Sequence, residues 1–188
     1  MTSSVRALAF AFAAFVATGA AHADEPHATK AKPALSIKTL DGKIFELSAQ
    51  HGRWVIVNFW ATWCSPCIKE MPDISAYVSA HAKNVSAIGI AWEDTERDEI
   101  DAFVKKHPVS YPLAQGDVYN PLPDFEVPRN LPVTYVIAPD GSVAKKFTGP
   151  ITADDLDKVV AASMIRRPAK RLTTLAFYDG TSALLGVC

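Results

Sequence analysis

Two cysteines stand two residues apart in the run Trp63-Cys64-Ser65-Pro66-Cys67. Thiols at that spacing can close a small disulfide ring when the second segment starts a helix. A thiolate at a helix N-terminus is stabilised by unpaired backbone N–H groups and by the positive end of the helix dipole. The chemistry on offer is thiol–disulfide exchange through a mixed disulfide. An inert staple or half of a zinc site would use the same two residues. Zinc normally takes four ligands, and His22, His27, His51, His81 and His107 show no paired spacing. Redox chemistry is the reading adopted, with no metal and no bound cofactor.

The flanking segments are those such a pair needs. Trp54 to Trp60 is a β-branched and aromatic run, which reads as a buried strand. Downstream, Ile68, Met71, Ile74, Tyr77 and Val78 recur at helical spacing, so a helix is expected over about 65–82. Pro66 falls in its first turn, where a missing N–H costs nothing, while Pro72 falls inside it and should kink it. The pair therefore belongs at a strand-to-helix junction.

The remaining chain alternates in the same style. A hairpin is expected over Leu35–Leu47 around Asp41-Gly42, and a second apolar strand over Val85–Ala91. Ile100, Phe103, Val104 and His107 outline a helix closed by Pro108, and Tyr111–Ala114 a short strand. Leu131–Ile137 and Ser142–Phe147 form a hairpin around Pro139-Asp140-Gly141. A last helix covers 152–165, capped by Thr152 with Asp155 three residues on.

Composition narrows the setting. The 188 residues carry a formal net charge of −1, which offers nothing for nucleic acid. Residues 1–23 resemble a cleaved secretory signal: Arg6, an apolar stretch from Leu8 to Ala20, then Ala21-His22-Ala23. An uncleaved membrane anchor is the alternative for this segment. Residues 24–34 read as a linker, 35–165 as one domain, and 166–188 as a tail of unassigned role. All 3 cysteines lie in the exported part, where disulfides persist. Cys188 is either a spare terminal residue or the site of an intermolecular bridge.

The order hairpin, strand, Cys-x-x-Cys helix, strand, helix, Pro-led hairpin and final helix resembles the thioredoxin fold. Within it, Leu40-Asp41-Gly42-Lys43, the run from Val57 through Cys64 and Cys67 to Pro72, Leu131-Pro132-Val133-Thr134 and Pro139-Asp140-Gly141 resemble the TlpA/ResA-like thiol-disulfide reductases of the bacterial periplasm. The resemblance covers about residues 35–165. It implies an α/β architecture with a central mixed sheet flanked by helices, an N-terminal β-hairpin, and an extra helix-strand insert between Trp92 and Pro132.

The same resemblance implies roles. Cys64 is the attacking thiolate and Cys67 the resolving thiol. Ordinary thioredoxins carry a buried Asp where this chain has Asn58, and the family's alternative proton acceptor falls on Glu70, one turn beyond Cys67. Pro132 is expected to be cis, with Leu131, Pro132 and Trp63 at the substrate surface. Val133 stands where relatives commonly have Thr. Trp60 is expected to pack, and Glu93 and Asp94 follow a strand that should end near the same face as the site, although a solvated loop is the expectation for them. Implied partners are disulfide-bearing exported proteins, such as apocytochrome c or copper-centre assembly proteins, and a membrane electron donor of the DsbD/CcdA type.

Two rivals share these residues. A thiol peroxidase of the same fold needs a Thr separated by two residues from its reactive Cys in a Pro-led motif. Asn58 and Thr62 do not supply that spacing, since Trp63 alone stands between Thr62 and Cys64. A non-enzymatic copper chaperone would use the cysteines and a distal His, and would retain copper without thiol turnover.

Overall fold

The structure is a computed structural model that describes residues 28–166. The expected leader, the first part of the linker and the tail with Cys188 lie outside the described residues. The elements are β1 (Ser36–Lys38), β2 (Ile44–Glu46), a 3-10 turn (Ser48–Gln50), β3 (Trp54–Trp60), α1 (Ser65–Ala80) and β4 (Val85–Ala91). They continue with α2 (Arg97–Lys106), β5 (Leu113–Gln115), β6 (Val133–Ile137), β7 (Val143–Thr148) and α3 (Ala153–Arg166).

Five strands form one sheet in the order β5-β4-β3-β6-β7. β3 runs parallel to β4 and antiparallel to β6, and all seven of its residues are buried. A strand covered on both faces has no solvent side, so its sequence reads as a continuous apolar run. Its side chains still alternate between two cores. Ile56 and Trp60 join the core under the helices with Met71, Ile74, Ile100 and Leu156. Val55, Val57 and Phe59 join the opposite core with Ile88, Ile90, Phe125 and Tyr135. Asn58 shares the helix-side parity of Ile56 and Trp60.

The hairpin β1–β2 forms a separate two-stranded sheet, with Gly42 at φ +86° in its turn. A bridge between Thr39 and Ala114 attaches it to the edge of the main sheet. The described end of the expected linker is also tied down: Ala34 N–H donates to the Asp124 carboxylate at 2.8 Å, and Thr29 to the Tyr135 hydroxyl.

Several boundaries move relative to the sequence expectations. The helix α1 ends at Ala80 and continues unbroken across Pro72. Its inward face is built from Cys67, Glu70, Met71, Ile74, Tyr77 and Val78, and Ile68 is only half-buried. The short strand begins two residues later than expected, because Tyr111 enters the core ahead of it. The insert is the α2–β5 unit followed by an irregular stretch, 116–132, anchored by buried Phe125. Thr152 and Asp155 form the expected cap: the Thr152 N–H donates to Asp155 at 3.1 Å, and the Asp155 N–H to Thr152 Oγ1 at 3.3 Å. Among the described residues, no helix is long and apolar enough to cross a membrane.

Candidate active site

The chain leaves the end of β3 at Trp60, turns through Ala61–Trp63, and enters α1. Cys64 is the N-cap of that helix, with extended backbone angles, and its Sγ accepts the Cys67 N–H at 3.3 Å. Pro66 occupies the first turn. The two sulfurs are bonded at 2.04 Å, with Cα atoms 5.3 Å apart. Cys67 is enclosed and Cys64 is 4 % exposed, while Ser65 and Pro66 lie in solvent. Trp63, directly before the pair, is 70 % exposed. Trp60 is fully buried and packs on Phe103 with ring centroids 5.4 Å apart, as a packing residue should.

Glu70 is the third member. It follows Cys67 by one turn on the inward face of α1 and is 2 % exposed. A carboxylate there needs donors, and it has two. Asn58 Nδ2 donates to Oε1 at 2.8 Å, and the Ile151 backbone N–H donates to Oε2 at 2.9 Å. Burial pushes the Glu70 carboxyl up to about 7, against the opposing pull of the Ile151 N–H and the Asn58 amide. Asn58 also donates to Thr134 Oγ1 at 2.9 Å, which joins β3, β6 and α1 through one amide. Burial likewise raises the Tyr111 hydroxyl, with the Glu70 charge adding to the effect.

The loop before β6 closes the other side. The Leu131–Pro132 bond is cis, as the resemblance implies. Val133 pairs with Phe59, so the register brings Pro132 to the level of Trp60, where β3 gives way to the cysteine turn. Leu131 is half-buried against the core that contains Cys64 and Cys67. Val133, at the position of the family's Thr, is buried in the opposite core.

Glu93 departs from expectation. It is buried, at 8 % exposed, because its two carboxylate oxygens accept the Thr62 N–H at 2.7 Å and the Thr62 hydroxyl at 2.9 Å. Asp94 is exposed, as expected, and accepts a hydrogen bond from the Tyr119 hydroxyl at the surface. The sequence did not show Asn58 as a donor, and it placed Glu93 near the face of the site without showing what it accepts from. The available signals were a polar residue inside an apolar strand and a carboxylate immediately beyond another.

A model of the AhpC/TSA family matches residues 28–146. The thiol-disulfide oxidoreductase ResA of Bacillus cereus is 33 % identical over 129 residues, covering 68 % of this chain and 73 % of that protein. Among solved structures, a DsbF homologue from Corynebacterium diphtheriae superposes with a TM-score of 0.60 at 25 % identity, covering 69 % of this chain and 84 % of that one. StoA from Bacillus subtilis shares the fold, with a TM-score of 0.56 at 21 % identity over 69 % of this chain and 97 % of that one. A cysteine pair capping a helix, with a buried glutamate one turn on and a cis proline in the neighbouring loop, suits that company, and the chain belongs to the AhpC/TSA family as a thioredoxin-like thiol-disulfide oxidoreductase of the ResA type.

Proposed function

We propose that the protein works as a reductase, passing electrons from Cys64 and Cys67 to disulfides of exported proteins in the periplasm. The leader-like segment 1–23 and the ResA relatives support that setting. Substrates of the kind meant are apocytochrome c cysteines or copper-centre assembly proteins, and the electrons come from a membrane donor of the DsbD/CcdA type.

In the reduced protein the Cys64 thiolate attacks one sulfur of the substrate disulfide. That bond breaks, one substrate thiolate leaves, and a mixed disulfide joins Cys64 to the other sulfur. Cys67 then loses its proton to Glu70 and attacks Cys64 Sγ. The second substrate thiolate departs and takes up a proton, leaving Cys64–Cys67 oxidised and the substrate reduced by two electrons. Leu131, Pro132 and Trp63 hold the substrate chain beside Cys64.

The observation that carries this reading is Glu70: a buried carboxyl poised near 7, one turn beyond the thiol that must be deprotonated. Direction is read from the intervening dipeptide. Strong oxidants of this fold often place a His between their cysteines to stabilise the thiolate, and Ser65-Pro66 offers none.

Trapping tests the roles. Cys67→Ser should accumulate mixed disulfides on Cys64 with exported proteins that carry a cysteine pair, and Cys64→Ser should not. Adducts captured by Cys67 in the Cys64→Ser protein would reverse the assignment.

A further inference from the structure

Glu93 is a buried carboxylate that the mechanism above does not use. Glu93 lies just past the C-terminal end of β4, where Trp92 N–H donates to the Trp60 carbonyl at 2.7 Å. That pairing sets Glu93 beside the turn leaving β3. Its carboxylate takes both donors of Thr62, and the same turn is closed by the Cys64 N–H on the Ala61 carbonyl at 3.2 Å. These hydrogen bonds together hold the residues immediately ahead of Cys64. Two donors on one carboxylate are more than a solvated loop residue needs, and their geometry fixes the path into the N-cap.

We propose that Glu93 is a positioning residue of the redox centre, holding the Thr62 turn that presents Cys64 while its negative charge opposes ionisation of the Cys64 thiol. A fixed like charge disfavours the thiolate, and a less stable thiolate favours the disulfide over the dithiol. Glu70 follows Cys67 by one turn on α1, and Glu93 holds the turn ahead of Cys64 from beyond β4, while the neighbouring cation Lys69 is exposed. Asp94, next to Glu93, is turned to the Tyr119 hydroxyl. Thr62 belongs to the same device, because its N–H and hydroxyl partly neutralise the carboxylate. The inference rests on Cys64 being the thiolate that meets substrate.

The two halves of the device predict shifts of opposite sign. Glu93→Gln keeps the shape and can still accept the Thr62 N–H, while the Thr62 hydroxyl turns to accept from the new amide. Only the charge goes. Thr62→Val removes one donor and leaves the charge less neutralised. In the reduced proteins, the rate of Cys64 alkylation followed against pH gives the thiol's titration midpoint, and peptide mapping identifies the labelled sulfur. Glu93→Gln should lower the midpoint, raise alkylation at mildly acidic pH by about threefold or more, and make the couple more oxidising. Thr62→Val should raise the midpoint. An unmoved midpoint in Glu93→Gln, or shifts of the same sign in both variants, would overturn the role of Glu93. First labelling at Cys67 in the wild type would overturn the nucleophile assignment and this inference with it.

Discussion

Glu70 is enclosed between the Asn58 amide and the Ile151 N–H, and its two protonation states are close in free energy near neutral pH. The sign of its linkage to stability follows. Its folded value of about 7 exceeds the ordinary 4.5, so between those limits the folded chain keeps a proton that the unfolded chain has lost. Stability contributed by this group therefore falls as pH rises through that window, by an amount on the order of 2 kcal/mol. Glu70→Gln cannot titrate, so urea unfolding at pH 5 and pH 8 should show the wild type losing ground to the variant across that range. An equal difference at both pH values would contradict the burial-raised carboxyl. The same substitution should slow resolution of the mixed disulfide, on the order of a hundredfold, and remove the limb of the pH–rate profile near 7.

Much of this site was legible because its geometry is local. Helix periodicity sets Glu70 one turn beyond Cys67, and the family resemblance picked it out as the proton acceptor. The partners of Glu70 do not. Asn58 is 12 residues away in sequence and Ile151 is 81 away, and a backbone N–H has no side-chain signature at all. Glu93 reaches Thr62 across 31 residues through the β3–β4 pairing, which is why it read as a loop carboxylate.

At the scale of the elements, β4 brings α2 and β5 close behind the redox helix. Gly89 pairs with Asn58 across β3 and has no room for a side chain. A Cβ there would lie 2.5 Å from Leu113 Cδ2, and 3.2 Å from both Trp60 Nε1 and Tyr111 Cε2. Leucine can turn its far methyl aside, but two buried aromatic rings leave little slack. Gly89→Ala should therefore destabilise by about 1–3 kcal/mol, read from the urea midpoint. A variant as stable as the wild type would mean that the β4–β5 edge yields more readily than this packing implies. The order of strands and helices was readable from apolar periodicity and turn dipeptides, whereas the start of β5 was not. Tyr111 continues the apolar run but fills the core before the strand hydrogen bonds begin, so composition alone could not separate the two.

For the whole molecule, the sheet order and the two cores leave the cysteine pair at a single junction of β3, α1 and the loop carrying Pro132. The position of that junction was evident from the sequence, because a buried strand followed by Cys-x-x-Cys and an amphipathic helix has few other arrangements. The irregular stretch 116–132 was not, since its anchoring Phe125 packs against Phe59 and Tyr135 from distant strands.

What the protein does with its disulfide depends on the potential of the pair. On the proposed reading, the charge of Glu93 and the absence of a His at Ser65-Pro66 both work against the Cys64 thiolate, which favours the disulfide and makes the dithiol the electron donor. Equilibration of the Cys64–Cys67 couple against a glutathione series measures this directly. A midpoint below about −200 mV is predicted, in the reducing half of the range for such dithiols, and a midpoint near −120 mV would show a protein that oxidises its partners.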